Sequence, residues 1–114
     1  MSLNDVSIVY IRRSPDEDLS GVIAVANQYY NMGTVDFLVL DISCDDTALA
    51  ELARAGDPFR YLAVPTCDIY GLIEFALSGT VKSKLIIIDD LAHDIPPSDH
   101  NGHHVQFVPR SFRP

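Results

Sequence analysis

Cys67 is the side chain of this sequence best suited to chemistry, because it follows a proline-marked turn at the predicted start of a helix. Amide dipoles at a helix N-terminus lower the pKa of a thiol and make it a nucleophile. The neighbouring carboxylate of Asp68 acts in the opposite direction, and no histidine adjoins Cys67 to serve as its base. Cys67 is therefore a candidate thiol site, with a purely structural cysteine as the alternative.

Polar side chains also follow the predicted strands at the points where they leave the sheet. They are Ser14, Asp41 with Ser43, Thr66 with Cys67, and Asp89 with Asp90. Ligands of parallel sheets gather outside the carboxyl ends of the strands, so these side chains mark a candidate site. Helix caps and strand-end turns produce the same pattern in any α/β domain, which is the alternative interpretation.

Three histidines lie close together near the end of the chain, at His100, His103 and His104. Three imidazoles could take a transition metal. The stretch is polar and lacks helical spacing, which favours opportunistic binding over a dedicated centre. The sequence therefore predicts no metal site, with this triple as the alternative.

Charge and motif content exclude several classes of function. The 114 residues include 16 acidic and 8 basic side chains, for a net charge of −8. An acidic surface repels nucleic acids and anionic membranes, so we expect neither as a partner, and a basic protein fits better. The sequence has neither a GxxxxGK[ST] phosphate loop nor a GxGxxG fingerprint, and we expect no cofactor.

The start of the chain and the cysteine content bear on location. Residues 1–10 have no basic region and no long apolar stretch, so no signal peptide is visible. The two cysteines form no CxxC pair. Together these features predict a cytoplasmic protein with reduced thiols. A homo-oligomer is compatible with the sequence.

Short apolar runs alternate with amphipathic stretches along the chain. The predicted strands are Ser7–Ile11, Val35–Ile42, Arg60–Val64 and Leu85–Asp89, and the predicted helices are Pro15–Met32, Thr47–Ala55 and Asp68–Ser78. The basic pair Arg12 and Arg13 follows the first strand where that strand is expected to surface.

This alternation predicts the α/β class, with a mostly parallel sheet of four to five strands in the order βαβαβαβ. The helices would cover both faces or mainly one, in a STAS-like or flavodoxin-like arrangement. We expect a single α/β domain over residues 1–92. Residues 93–114 read as a C-terminal tail containing Pro96 and Pro97, with Val105–Val108 as an edge strand.

Four segments resemble, in order, the motifs of STAS domains, the fold of anti-sigma factor antagonists. They are Leu38–Ser43 (LVLDIS), Asp45–Leu49 (DDTAL), Tyr61–Val64 (YLAV) and Leu72–Gly79 (LIEFALSG). Ala48 stands where the family has glycine. The resemblance implies that Thr47 occupies the place of the phosphorylated serine and that Asp46 supplies a permanent negative charge beside it.

A second resemblance is to the DsrE-like family of sulfur carriers. Ser7–Gly33 together with Asp36–Asp41 is similar to the opening strand, helix and second strand of that family. The resemblance implies that Cys67 lies near the family's active cysteine.

Two hypotheses about function follow. The first is a soluble, non-enzymatic regulatory domain that binds another protein, with phosphorylation as a switch. Its surface would centre on Ser43, Asp45, Asp46 and Thr47, beside Asp41, and on the adjoining end of the third helix. The alternative is a sulfur carrier or thiol transferase that uses Cys67.

Overall fold

The structure, a computed structural model, describes residues 6–14, 19–31, 36–43, 59–65, 68–78, 84–89, 95–100 and 102–109. These residues form one six-stranded sheet and two helices. The strands are β1 (Val6–Arg12), β2 (Phe37–Asp41), β3 (Phe59–Ala63), β4 (Lys84–Ile88), β5 (Ser98–His100) and β6 (His103–Val108), and the helices are α1 (Leu19–Asn31) and α2 (Ile69–Ser78). The predicted α/β class with a mostly parallel sheet is confirmed. The predicted helix Thr47–Ala55 lies outside the described residues.

The sheet is built around β1. The strand order is β3-β2-β1-β4-β6-β5, and every neighbouring pair is parallel except β5 with β6. All seven residues of β1 are buried, as expected for a strand covered on both faces. The order places β1 between β2 and β4, as in Rossmann-type sheets, whereas a flavodoxin-like order places it between β2 and β3. From β1 the chain adds strands on one side as far as β3, and it then continues on the other side of β1 with β4. The order of strand addition therefore changes direction between β1 and β4.

The two helices lie on opposite faces of the sheet. Each contributes a stripe of buried apolar residues, which are Val22, Ala26 and Tyr29 in α1, and Leu72, Ile73 and Ala76 in α2. Successive residues of a strand point to opposite faces, so Tyr10 packs in the cluster with α1 and Val9 packs in the cluster with α2. These two faces are called the α1 face and the α2 face below.

A hairpin of β5 and β6 brings the sheet to six strands, where the sequence predicts four to five. Its turn contains Gly102 at a φ of 85°, a conformation that favours glycine, and Asn-Gly is a common two-residue hairpin sequence. The expectation of a loop followed by an edge strand is corrected, because β6 lies inside the sheet and its Val105, Phe107 and Val108 are buried. The edge belongs to β5, whose three residues are too few to show strand periodicity.

Candidate functional site

The carboxyl ends of β1 and β2 and the middle of β3 bring four polar side chains together on the α1 face. We call this group, Arg12, Asp41, Ser43 and Tyr61, the Arg12–Asp41 cluster. Arg12 and Asp41 are partners in the register of β1 with β2, and both side chains are 1% exposed. Arg12 Nη1 donates to Asp41 Oδ2 at 2.9 Å. The central contact of the cluster is therefore a buried ion pair.

Asp41 accepts hydrogen bonds at both of its carboxylate oxygens. Besides the bond from Arg12, Oδ2 accepts from the Tyr61 hydroxyl at 2.7 Å. Oδ1 accepts from the Ser43 amide at 2.8 Å and from the Ser43 hydroxyl. Arg12 Nη1 also donates to Ser43 Oγ at 3.0 Å, which closes a ring of contacts. The cluster therefore joins the ends of β1 and β2 and the middle of β3 through one carboxylate.

Burial and hydrogen bonding act on the pKa of Asp41 in opposite directions. Burial raises the pKa, because it disfavours the charged form. The bonds from the Ser43 hydroxyl, the Tyr61 hydroxyl, the Ser43 amide and the Arg12 guanidinium outweigh burial, so the pKa lies below its ordinary value. Asp41 is therefore ionised at neutral pH and suits the role of an anchor better than that of a general base.

This lowered pKa predicts a specific loss of stability in acid. Since the pKa of Asp41 is lower in the folded than in the unfolded chain, its contribution is complete above the unfolded value of about 3.9 and disappears as the pH falls through the folded value. Asp41→Asn lacks this contribution. Urea unfolding between pH 7 and pH 2.5 should therefore show a stability difference from wild type that narrows towards acid. A difference that stays constant over this range would contradict the assignment.

Arg12 corrects a prediction from the sequence. It was expected to mark the point where the first strand surfaces, yet it is the last residue of β1 and is fully buried. The sequence reasoning also missed Tyr61, which lies on β3, the neighbour of β2, and whose hydroxyl donates to Asp41. The period-two alternation of a strand is the signal in the sequence that could have placed Arg12 inside the domain, because it puts Arg12 on the same face of β1 as Tyr10.

A second ion pair spans the point where strand addition changes direction. Arg13, directly after β1, donates from Nε to Asp89 Oδ1 at 2.9 Å and from Nη2 to Asp89 Oδ2. Asp89, directly after β4, is buried, and its amide donates to the Val108 carbonyl at 2.9 Å. In open α/β sheets, ligands usually bind in the crevice between the two strands at which the strand order changes direction. In this protein the bidentate pair of Arg13 and Asp89 bridges that position.

The structure describes only part of the predicted site. Asp41, Ser43 and Asp89 lie at the carboxyl edge of the sheet, as does Ser14 after β1. Asp45, Asp46, Thr47 and Cys67 lie outside the described residues, together with Thr66 and Asp90. The binding role of the first three and the thiol chemistry of Cys67 therefore stay predictions.

The three histidines lie at the opposite edge of the sheet, since β6 begins at His103 and runs parallel to β4. His100 pairs with His103 across the hairpin, while His104 pairs with Asp99. Among the described residues, no group of three or more His, Cys, Asp or Glu side chains is placed to hold a metal ion.

Helix α2 presents an aromatic ring to solvent close to its start. Asp68 caps it, because Asp68 Oδ1 accepts from the Gly71 amide at 2.9 Å. Tyr70 is 71% exposed, the most exposed of the three large apolar side chains that stand out from the described surface. The other two are Leu62 on β3 and Tyr30 on α1. Neither described helix has the length and apolar character needed to cross a membrane.

Comparisons of the chain with protein-family models, with curated proteins and with solved structures find no match. The resemblances to STAS domains and to DsrE-like sulfur carriers therefore stay predictions.

Proposed function

We propose that this protein is a small regulatory domain that acts by binding another protein and catalyses no reaction of its own. The observation that carries the proposal is the exposed ring of Tyr70 at the start of α2, a helix whose cap Asp68 and whose Glu74 are also exposed. Tyrosine is enriched among the residues that dominate binding energy at protein interfaces. The surface we propose comprises Tyr70, Glu74 and Ser78 on α2, its cap Asp68, and Leu62 on β3, and is called the α2 surface.

The geometry of α2 supports a continuous surface. Tyr70, Glu74 and Ser78 follow one another at four-residue steps, so they share one side of the helix, and all three are exposed. The other side packs on the sheet through Leu72, Ile73 and Ala76. The α2 surface is therefore the solvent-facing side of a helix whose other side packs on the sheet.

The neighbouring strand adds apolar area on the same side of the molecule. Leu62 alternates with Tyr61, which packs against the cluster on the α1 face, so Leu62 lies on the α2 face. Pro65, which follows β3 towards α2, is also exposed. β3 is an edge strand of the sheet that the described residues form.

Charge favours a basic partner. The α2 surface carries the exposed carboxylates of Asp68 and Glu74, and the whole chain has a net charge of −8. Complementary charge speeds association and suppresses wrong partners. A partner with a basic patch around an apolar pocket for Tyr70 would match both features.

Phosphorylation at Ser43 or Thr47 is the switch that we propose for this surface. The Ser43 hydroxyl contacts both Asp41 and Arg12. A phosphate would add about −1.5 to −2 charges at that point, where it would repel Asp41 and attract Arg12. The end of β2 would then rearrange. Mass spectrometry of the native protein tests this idea, and a protein that never carries phosphate at either residue would remove it.

A capture experiment with charge-reversed variants tests the proposed function. The tagged full chain is used to retain proteins from a lysate of its native host. Glu74→Lys should weaken retention of the specific partner by roughly tenfold, because it places a like charge at the interface. Asp99→Lys is the matched control, since Asp99 is also an exposed carboxylate but lies on β5 at the far edge of the sheet.

The partner retained by wild type and by Asp99→Lys should be basic and should elute with rising salt. An acidic partner, or equal retention by the Glu74→Lys variant, would contradict the proposal. Fractionation of the same host cells tests the cytoplasmic location that the sequence predicts.

A further inference from the structure

The β5–β6 hairpin places two histidines opposite each other. His100 is the last residue of β5, His103 is the first of β6, and the two are partners in the antiparallel register. Residues that face each other across an antiparallel pair lie on the same side, with Cβ atoms about 4.5–5.5 Å apart. Their imidazole rings are therefore close enough to approach a common point.

The third histidine lies on the other face. His103 has the parity of Val105, which packs in the cluster on the α2 face, while His104 has the parity of Val108, which packs in the cluster on the α1 face. His104 Nδ1 is 3.1 Å from Asp99 Oδ1. The three histidines that look like one group in the sequence are thus divided into a pair and a single residue.

His100, one member of the pair, makes a hydrogen bond of the kind that orients metal-binding histidines. His100 Nε2 lies 2.8 Å from the Ser98 hydroxyl oxygen. In the tautomer in which Nε2 carries the hydrogen and donates it to Ser98, the lone pair is on Nδ1. Metal-ligating histidines usually donate their second ring N–H to an oxygen in this manner, which fixes both tautomer and ring orientation.

We propose that His100 and His103 form a two-histidine chelate for a transition-metal ion of the Zn²⁺ or Cu²⁺ type. Neutral imidazole suits these ions, which form bonds of about 2.0–2.1 Å to a ring nitrogen. Water fills the remaining coordination positions. The ion links β5, the short edge strand, to β6 across the turn, so that binding stabilises this edge of the sheet.

Zinc titration of the chelator-treated full chain by calorimetry tests the chelate. Wild type should bind one ion per chain. His100→Gln and His103→Gln should each weaken binding by at least about tenfold, because loss of a ligand costs no less than loss of its supporting hydrogen bond. His104→Gln is the matched control and should bind within about twofold of wild type, because its side chain lies on the opposite face.

Circular dichroism of the metal-free variants confirms that each is folded, and NMR of the wild-type imidazole rings gives a second measurement. Zinc should shift the ring signals of His100 and His103 and leave those of His104 in place. Absence of saturable binding, retention of full affinity by His103→Gln, or an equal loss in His104→Gln would overturn the proposal.

Discussion

Replacing Arg12 with methionine is expected to lower the free energy of unfolding by about 3–5 kcal/mol, because it leaves a buried carboxylate without its charge partner. Arg12 and Asp41 are both 1% exposed, so water cannot replace the lost guanidinium. The remaining bonds to Asp41, from Ser43 and Tyr61, are neutral and cannot balance its charge. Since small domains are stable by only about 5–15 kcal/mol, this loss would be large enough to measure directly by urea unfolding.

The same substitution in an ion pair whose arginine is exposed provides the control. Arg60 pairs with Asp36 at the amino edge of the sheet, and the two side chains are 45% and 13% exposed. Arg60→Met should cost less than about 1 kcal/mol, because solvent screens such pairs and can replace them. Equal losses in the two variants would show that burial does not set the value of the Arg12–Asp41 pair and would contradict the role assigned to the cluster.

Arg12 also illustrates why part of the site could not be predicted from the sequence. A basic residue after an apolar run usually marks the point where a strand reaches solvent, and this rule suggested that Arg12 surfaces. Its burial depends on Asp41, 29 positions further along the chain, and on Tyr61 beyond that. No local pattern encodes such a contact, because it arises only when three strands are placed in register.

The predictable parts of the fold have strong local signals. The first strand was expected at Ser7–Ile11 and is observed at Val6–Arg12, and the last helix was expected at Asp68–Ser78 and is observed at Ile69–Ser78. Continuous apolar runs and amphipathic stripes identify such elements from the sequence alone. The strand order required the structure, because alternation of strands and helices is compatible with several orders.

The hairpin has a local signal in the sequence as well. Asn101 and Gly102 form a dipeptide typical of two-residue hairpin turns, but the polar residues around it suggested a loop. Only the pairing of β6 with β4 explains why Val105 and Phe107 are buried. The division of the histidines between two faces follows from the same pairing and could not be seen without it.

Truncation of Tyr70 is the second large effect that we expect. Tyr70→Ala should weaken binding of the protein partner by about 30-fold or more, which corresponds to the loss of about 2 kcal/mol typical of a dominant interface residue. The ring is 71% exposed and has no place in either apolar cluster, so its removal should leave the free energy of unfolding almost unchanged. Unfolding measurements on the variant can separate lost binding from lost structure.

Tyr30→Ala is the matched control for this variant. Tyr30 is also a solvent-exposed tyrosine on a helix, 51% exposed, but it lies on α1 at the opposite face of the sheet. Both substitutions remove the same ring from a similar environment. A difference between them can therefore be assigned to the α2 surface and not to a general loss of aromatic area.

The affinity of the captured partner for wild type, Tyr70→Ala and Tyr30→Ala, measured by calorimetry with purified proteins, tests the central claim most directly. The claim is that this domain works by binding a protein through the α2 surface. It predicts that Tyr70→Ala loses about 30-fold in affinity while Tyr30→Ala stays within about twofold of wild type. Undiminished binding by Tyr70→Ala, or an equal loss in Tyr30→Ala, would contradict it.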